Sequence, residues 1–342
     1  MEKDLKNKSF VEMEKILIDL GEKPYITKII FRWIHECGIS DFDKMNNISK
    51  VLKQKLKDKE FYISKLRIKK IFKDKDGTLK YLFKLQDNNS IEAVLLTDNN
   101  EKERFTLCIS SQVGCKMNCA FCATGKMRFK RNLTSAEVVD QVIQIEKDSK
   151  KRISNVVFMG MGEPFDNYDN VLKSIYILNS PIGKNIGVRK ITISTCGLIP
   201  GIKKLAEEKL QIRLAISLHS FFNETREKIM PIAKKYKLKE IKDSLLEYQL
   251  KTKRRISVEH LLIKNINDND KEVNALINYL RNLDVYINLI EYNEFPGSLF
   301  KSVEREKMKL IKKKLETIGH TVACRYKRGD KIKAACGQLG SL

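Results

Sequence analysis

The stretch "GCKMNCAFCATG" sets Cys115, Cys119 and Cys122 in a C-x3-C-x2-C array. Three thiols this close together can wrap one metal centre, because thiolates are soft, strongly binding ligands. A structural zinc site asks for four protein ligands, and no fourth Cys or His lies nearby in the sequence. Thiolates also hold iron–sulfur clusters, and a [4Fe–4S] cube with three protein ligands leaves one iron free to bind something else. Three merely buried cysteines fit this polar loop poorly.

A further thiol sits far away in sequence. The C-terminal stretch "IKAACGQLGSL" carries Cys336 among Ala334, Ala335 and Gly337, so little bulk shields its sulfur. An exposed thiol near a terminus oxidises readily, which makes the placement costly unless the sulfur is used. The remaining four of the 8 cysteines are Cys37, Cys108, Cys196 and Cys324, and in a reducing compartment none of them is expected to belong to a disulfide framework. "MEKDLKNKSF" is charged from its second residue and lacks the apolar core of a signal peptide, so a cytoplasmic protein is expected. No apolar run reaches the roughly 20 residues of a membrane helix, and no membrane partner is expected.

The net charge of +23 points to a polyanionic partner, nucleic acid first, although compositional drift toward lysine would give a similar excess. The excess is uneven: residues 301–342 hold 12 Lys or Arg against 4 Asp or Glu, so the segment carrying Cys336 is itself basic.

The elements that must position these thiols follow from periodicity. Residues 1–58 read as a helical accessory domain, with "SFVEMEKILIDLG" closing on Gly21 and "YITKIIFRWIHEC" as a second helix. Residues 59–103 read as a β-rich connecting segment, its short strands split at Asp76-Gly77 and Asp87-Asn88-Asn89. From residue 104 to 342 strands alternate with helices: "RFTLCIS", "SNVVFMG", "RKITIST", "IRLAISLH", "RRISVEHLL" and "YINLIEY". A capping box at Thr134-Ser135-Ala136-Glu137 and Pro200 in a first turn mark two of the helices. Six such units predict an α/β fold with a parallel sheet or incomplete barrel, whose ligands collect at the C-terminal strand ends. The cysteine array directly follows the first of those strands.

C-x3-C-x2-C at that place resembles the radical S-adenosylmethionine (SAM) enzymes. More narrowly, "LCISSQVGCKMNCAFCATG", "VVFMGMGEPFDNYDNV", "RKITISTCGLIPGI", "LAISLHS" and "AACGQL" resemble the RlmN/Cfr family of RNA adenine methyltransferases. The resemblance implies a partial (β/α)6 radical-SAM barrel, a [4Fe–4S] cluster on Cys115, Cys119 and Cys122, and two SAM molecules per turnover. The chemistry has a reason: adenine C2 lies between two ring nitrogens and is too electron-poor to attack the methyl of SAM, so a radical route is needed. In the resembled family one SAM methylates a cysteine near the C-terminus, and a 5′-deoxyadenosyl radical from another takes hydrogen from that methyl group. The carbon radical then adds to the adenine.

Matched by motif, Cys336 is implied as the methyl carrier and Cys108 as the second reactive thiol. Glu92 in "SIEAVLL" is implied as the proton acceptor, with extra residues, "TDNNEKER", separating it from Cys108. Cofactor contacts fall on Gly162 and Glu163 of "GMGEP", where the glycines would permit close backbone approach and the carboxylate would bind the SAM ammonium. They fall also on Ser194, on Ser217, Leu218 and His219, and on Asn293. Cys37, Cys196 and Cys324, with His35, His260 and His320, read as packing or surface residues. "KMRFKR" (126–131) is either a phosphate-steering strip or a solvated loop.

The implied partners are 23S rRNA and tRNA, with a flavodoxin- or ferredoxin-type electron donor, and the chain is expected to be a monomer. The target base would be turned out of its stack into the barrel mouth. "MGMGEP" followed by "STCGL" is more similar to the RlmN branch, which methylates adenine C2, than to the Cfr branch, which modifies C8. The Cys336 segment reads as a mobile, RNA-facing tail. A non-catalytic RNA-binding protein would instead hold zinc, or an inert cluster, and leave Cys336 unmodified.

Overall fold

The computed structural model describes residues 3–98 and 104–340, so most of the "TDNNEKER" stretch lies outside the described residues. Helix α1 (Phe10–Asp19) opens on a capping box in which Ser9 Oγ accepts from the Glu12 N–H and the Glu12 carboxylate accepts from the Ser9 N–H. With α2 (Tyr25–His35) and α3 (Lys50–Asp58) it buries Met13, Leu17, Ile30, Phe31, Ile34, Leu52 and Leu56. His35 sits beneath Phe31, and burial, then the charges of Lys6 and Lys184, hold its imidazole down to about 3. It is a neutral packing residue, as the sequence implies.

A ten-stranded sheet runs through the rest of the chain. Its first four strands, β1 (Arg67–Lys73), β2 (Leu79–Lys84), β3 (Ser90–Asp98) and β4 (Arg104–Cys108), form an antiparallel meander. Strands β5 (Gln112–Val113) and β6 (Arg131–Asn132) make a small separate ribbon. From β4 the order continues through β7 (Asn155–Phe158), β8 (Ile191–Thr195), β9 (Arg213–Ser217), β10 (Ile256–Leu262), β11 (Val285–Glu291) and β12 (Thr321–Arg325). All of these neighbours are parallel. The six expected barrel strands are present, and β12 is a seventh that the sequence pattern did not reveal. β4 is therefore the strand where antiparallel pairing gives way to parallel pairing. The β-rich segment and the barrel are one continuous sheet.

After the short α4 (Ala123–Lys126), helices α5 (Ser135–Ser149), α6 (Tyr168–Asn179) and α7 (Ile199–Glu207) come with the first crossovers. α5 begins on the expected capping box, and Pro200 occupies the first turn of α7. They are followed by α8 (Asn223–Ile229), α9 (Leu238–Thr252), α10 (Asp270–Leu280) and α11 (Arg305–Thr317). Along the strands, Ile191, Ile193, Leu214, Ile216 and Val258 are buried apolar residues, while the alternating positions carry Ser194, Ser217, Ser257, Glu259 and Asn288. The sheet thus has an apolar face and a polar face. Among the described residues no helix is long and apolar enough to cross a membrane.

One buried ion pair ties the helical part to the barrel. Lys6 Nζ lies 2.7 Å from Asp140 Oδ1, both side chains at 1% exposure or less. Asp140 also accepts from the Leu66 N–H at 2.6 Å and from Gln144 Nε2 at 3.0 Å. Removing one member strands the other charge without water, which costs about 3–5 kcal/mol. Asp140→Ala is accordingly expected to lower the unfolding free energy by that amount in chemical denaturation; a loss below about 1 kcal/mol would contradict a desolvated pair.

Candidate active site

The cysteine loop lies between β5 and β6, beside the C-terminal end of β4. Two sharp backbone turns shape it: Gly114 at φ +75° and Asn118 at φ +52°. Gly125 closes it, since a Cβ there would meet the Cys119 carbonyl oxygen at 2.5 Å. From one side the Ala120 N–H donates to the Ile229 carbonyl at 2.9 Å, at the end of α8. From the other, the Ala123 N–H donates to the Gly337 carbonyl at 2.7 Å, and Thr124 Oγ1 donates to the Leu339 carbonyl at 2.6 Å. The loop is held between α8 and the C-terminal segment.

Burial pushes the Cys115 thiol up to about 12 and raises Cys119 and Cys122, with neighbouring thiols adding to the first two. Burial thus disfavours the thiolate forms, and metal binding releases the thiol protons. Three thiolates are one short of a closed structural zinc site, whereas a cube spreads its protein thiolates over separate irons and can leave one iron open. The donor set fits the cluster better than zinc.

The tail is not a free end. Asn293 Nδ2 donates to the Cys336 carbonyl at 3.0 Å, and Gln338 Nε2 donates to the Glu294 carbonyl at 2.7 Å. The Gly329 N–H donates to Asp76 Oδ2 and the Lys331 N–H to Asp74 Oδ2, both in the β1–β2 turn. Gly337, at φ +82°, passes so close to the cysteine loop that a Cβ would meet the Phe121 carbonyl oxygen at 3.2 Å. The expected mobile tail is, in this structure, a strap docked across the loop.

Cys336 itself is exposed, yet the protein around it pushes its thiol up to about 12, with Cys122 and Glu259 contributing after burial. Cys108, at the end of β4, is half-buried; burial and then the nearby Cys336 push it too up to about 12. The two thiols are free and within Coulombic reach of one another.

Glu92 is buried, and its partner is a lysine that sequence reasoning missed. Lys80 Nζ lies 3.2 Å from Glu92 Oε1, with side-chain exposures of 0% and 3%. Glu92 Oε2 accepts from the Gly340 N–H at 2.8 Å, while Lys80 Nζ donates to the Lys333 carbonyl at 3.2 Å. The same pair thus anchors the strap. β3 and β4 stay paired out to Asp98 opposite Arg104, so the extra residues between them leave the register of Glu92 and Cys108 intact.

The glycines of the "GMGEP" turn lie against the chain's own backbone and side chains. A Cβ at Gly160 would meet the Ile109 carbonyl oxygen at 2.6 Å, and one at Gly162 would meet Gln112 at 2.5 Å. These glycines let the turn approach the chain's own β4–β5 segment. Glu163 is buried, with Oε1 accepting from the Phe165 N–H at 3.0 Å and Oε2 from the Cys196 N–H at 2.9 Å. Each oxygen keeps a lone pair, so an ammonium can still be bound.

Ser194 and Ser217 are half-buried on the polar face, at the ends of β8 and β9. Ser217, Glu259 and Asn288 form one row across three strands. Glu259 Oε1 accepts from Ser257 Oγ and from Asn288 Nδ2, each at 2.8 Å. Leu218 and His219 are buried, and His219 adopts φ +61°, an uncommon conformation for a non-glycine residue. Its Nδ1 accepts from the Leu261 N–H at 3.0 Å, which leaves the proton on Nε2. Asn293 Oδ1 is buried without a hydrogen-bond partner in the protein. An orphaned buried acceptor such as Asn293 Oδ1 fits a polar ligand such as SAM.

Of the basic strip, Arg131 is engaged by Asp87 and Glu137, and Lys126 donates to the Gly297 carbonyl. Lys126, Arg128 and Lys130 are all exposed, and the carbonyl contact of Lys126 leaves its charge unneutralised. Cys196 is buried, Cys324 half-buried on β12 and Cys37 exposed. Burial holds His260 down to about 4, a neutral packing residue.

Two family models match the chain: "Radical SAM superfamily" over residues 109–277 and "Ribosomal RNA large subunit methyltransferase N-terminal domain" over residues 3–61. A protein of Thermoanaerobacter sp. (strain X514), described as a probable dual-specificity RNA methyltransferase RlmN, is 44% identical over 98% of this chain and 97% of its own length. A Thermotoga maritima protein of the same description is 43% identical, again over 98% and 97%. The crystal structure of a radical SAM methyltransferase from Sphaerobacter thermophilus superposes with a TM-score of 0.92 at 36% identity, over 99% of both chains.

Proposed function

The chain belongs to the RlmN family of radical-SAM RNA methyltransferases, and from that premise we propose that it methylates C2 of an adenine in 23S rRNA and of the adenine beside the tRNA anticodon. Its cofactors are a [4Fe–4S] cluster and SAM; when bound, the cluster supplies the electron that cleaves SAM to a 5′-deoxyadenosyl radical. Cys115, Cys119 and Cys122 hold the cluster. Gly162, Glu163, Ser194, Ser217, Leu218, His219 and Asn293 receive SAM, with Glu163 facing its ammonium and Asn293 Oδ1 gaining the partner it lacks.

Cys336 carries the methyl group to the base, Cys108 acts as the second thiol that releases the product, and Glu92 accepts the proton. The observation that carries this reading is the strap: Gly337 and Leu339 are hydrogen-bonded to Ala123 and Thr124, next to Cys122, which keeps Cys336 beside the cysteine loop. The helices of residues 3–61, together with Lys126, Arg128 and Lys130, supply cations for RNA phosphates. A low-potential flavodoxin or ferredoxin supplies electrons to a cytoplasmic monomer.

Nucleoside mass spectrometry of rRNA and tRNA from cells with and without the gene tests the reaction. 2-Methyladenosine dependent on the gene is the expected product, and 8-methyladenosine as the main product would transfer the chain to Cfr-type chemistry.

Glu92→Gln keeps an acceptor for the Gly340 N–H while removing the charge. A positioned general base contributes typically 10²–10⁴-fold. The variant is therefore expected to form 2-methyladenosine at least about 100-fold more slowly in single-turnover assays with intact cluster content. Wild-type rates in Glu92→Gln would remove Glu92 from the proton transfer.

A further inference from the structure

Arg226, on α8, is a buried cation at 0% exposure whose role the reaction described above does not require. Its guanidinium donates only to backbone carbonyls: Nη2 to Cys196 at 2.7 Å, Nε to Leu218 at 3.2 Å and Nη1 to Tyr236 at 3.4 Å. Among the described residues no carboxylate forms an ion pair with it. Three carbonyls explain the geometry of the fork but not its charge, because neutral donors can satisfy carbonyls. A buried guanidinium without a counter-anion loses its hydration and gains no Coulombic compensation.

Cys196, Tyr279 and Cys119 are the side chains whose charge would bear on Arg226, and Arg226 in turn bears on Cys119. The backbone connects them as well, since the Ile229 carbonyl, three residues beyond Arg226, accepts from the Ala120 N–H next to Cys119. Met117, Cys196, Ile229 and Met230 form an apolar cluster with Cys115 and Cys119 packed against it, so little water screens the charge.

We infer that Arg226 is the built-in counter-charge of the iron–sulfur cluster, holding its reduction potential up by stabilising the extra electron. The inference rests on the reading that Cys115, Cys119 and Cys122 bind the cluster. A core held by three thiolates carries net negative charge and gains one further unit on reduction, so a cation in a low-dielectric wall favours the reduced form. Arg226 touches none of the reacting atoms and is a positioning residue in the electrostatic sense.

The test begins with anaerobic purification and iron and sulfide analysis of the wild-type chain. Redox titrations followed by electron paramagnetic resonance then compare wild type with Arg226→Gln, which keeps donors without charge, and Arg226→Lys, which keeps charge. At a fixed potential the reduced fraction-to-oxidised ratio in Arg226→Gln is expected to fall at least tenfold, equivalent to about 59 mV for a one-electron couple. Arg226→Lys is expected to remain nearer to wild type than Arg226→Gln does. Equal potentials in wild type and Arg226→Gln, or an equal shift in both variants, would overturn the inference.

A second readout covers a glutamine variant that takes up cluster poorly. Cluster reconstitution is expected to raise the melting temperature more in wild type than in Arg226→Gln or Arg226→Met, because only wild type relieves a buried charge. Equal gains mean that Arg226 is a backbone clip, and the inference fails. A wild-type chain without iron and sulfide would instead bring down the cluster assignment itself.

Discussion

Cys336→Ala is expected to form no 2-methyladenosine while binding its iron–sulfur cluster as wild type does. Removing a covalent nucleophile can cost on the order of 10⁶ in rate, so the remaining signal should be background. The substitution is structurally mild. The strap is held through the Cys336 carbonyl, the Gly337 carbonyl and the Gly340 N–H, none of which is a Cys336 side-chain atom. Peptide mass spectrometry supplies the second measurement: wild-type enzyme should carry an added methyl or methylene on the C-terminal peptide, and the variant none. An unmodified Cys336 in active enzyme, or methylation by Cys336→Ala, would remove the carrier role.

The second large effect is expected at Cys119. Cys119→Ala should reduce iron from about four per chain to near zero and abolish methylation, since two thiolates cannot replace a three-point attachment. The apo chain should still fold. The loop's shape is held by backbone bonds from Ala120 to Ile229 and from Ala123 to Gly337, which the substitution leaves in place. Near-wild-type iron and sulfide in purified Cys119→Ala would reject the ligand assignment. Loss of folding in apo Cys119→Ala would show that the thiol, not the backbone, holds the loop.

Much of this was legible in the amino-acid types. The strands from "RFTLCIS" to "YINLIEY" announced themselves by alternation, and the capping box at Thr134 and the proline at 200 marked helix starts that the structure contains. β12 escaped because "TVACR" is short, weakly apolar and set in a run of cations. The docked strap escaped for a different reason. Its contacts use the N–H and carbonyl groups of Gly329, Lys333, Gly337 and Gly340, which every residue type carries. Lys80 in "TLKYLFKL" and Arg226 in "NETREKI" escaped because a buried cation has no local signature that separates it from a solvent-facing one. The glycines of "GMGEP" were recognisable as a tight turn, but only the fold reveals that the neighbouring segment is the chain's own β4–β5 stretch.

The strap has a consequence for how the chain is made. Synthesis runs from the N-terminus, yet Gly340 meets Glu92 across 248 residues, and Gly329 meets Asp76 across 253. The meander with its Lys80–Glu92 pair and the cysteine loop can therefore take shape long before the strap exists. Cys336 can join them only after the more than two hundred residues that follow Cys122 have been made. On the role proposed for Cys336, a nascent chain that stops short of residue 336 has its cysteine loop but not the sulfur that would carry the methyl group.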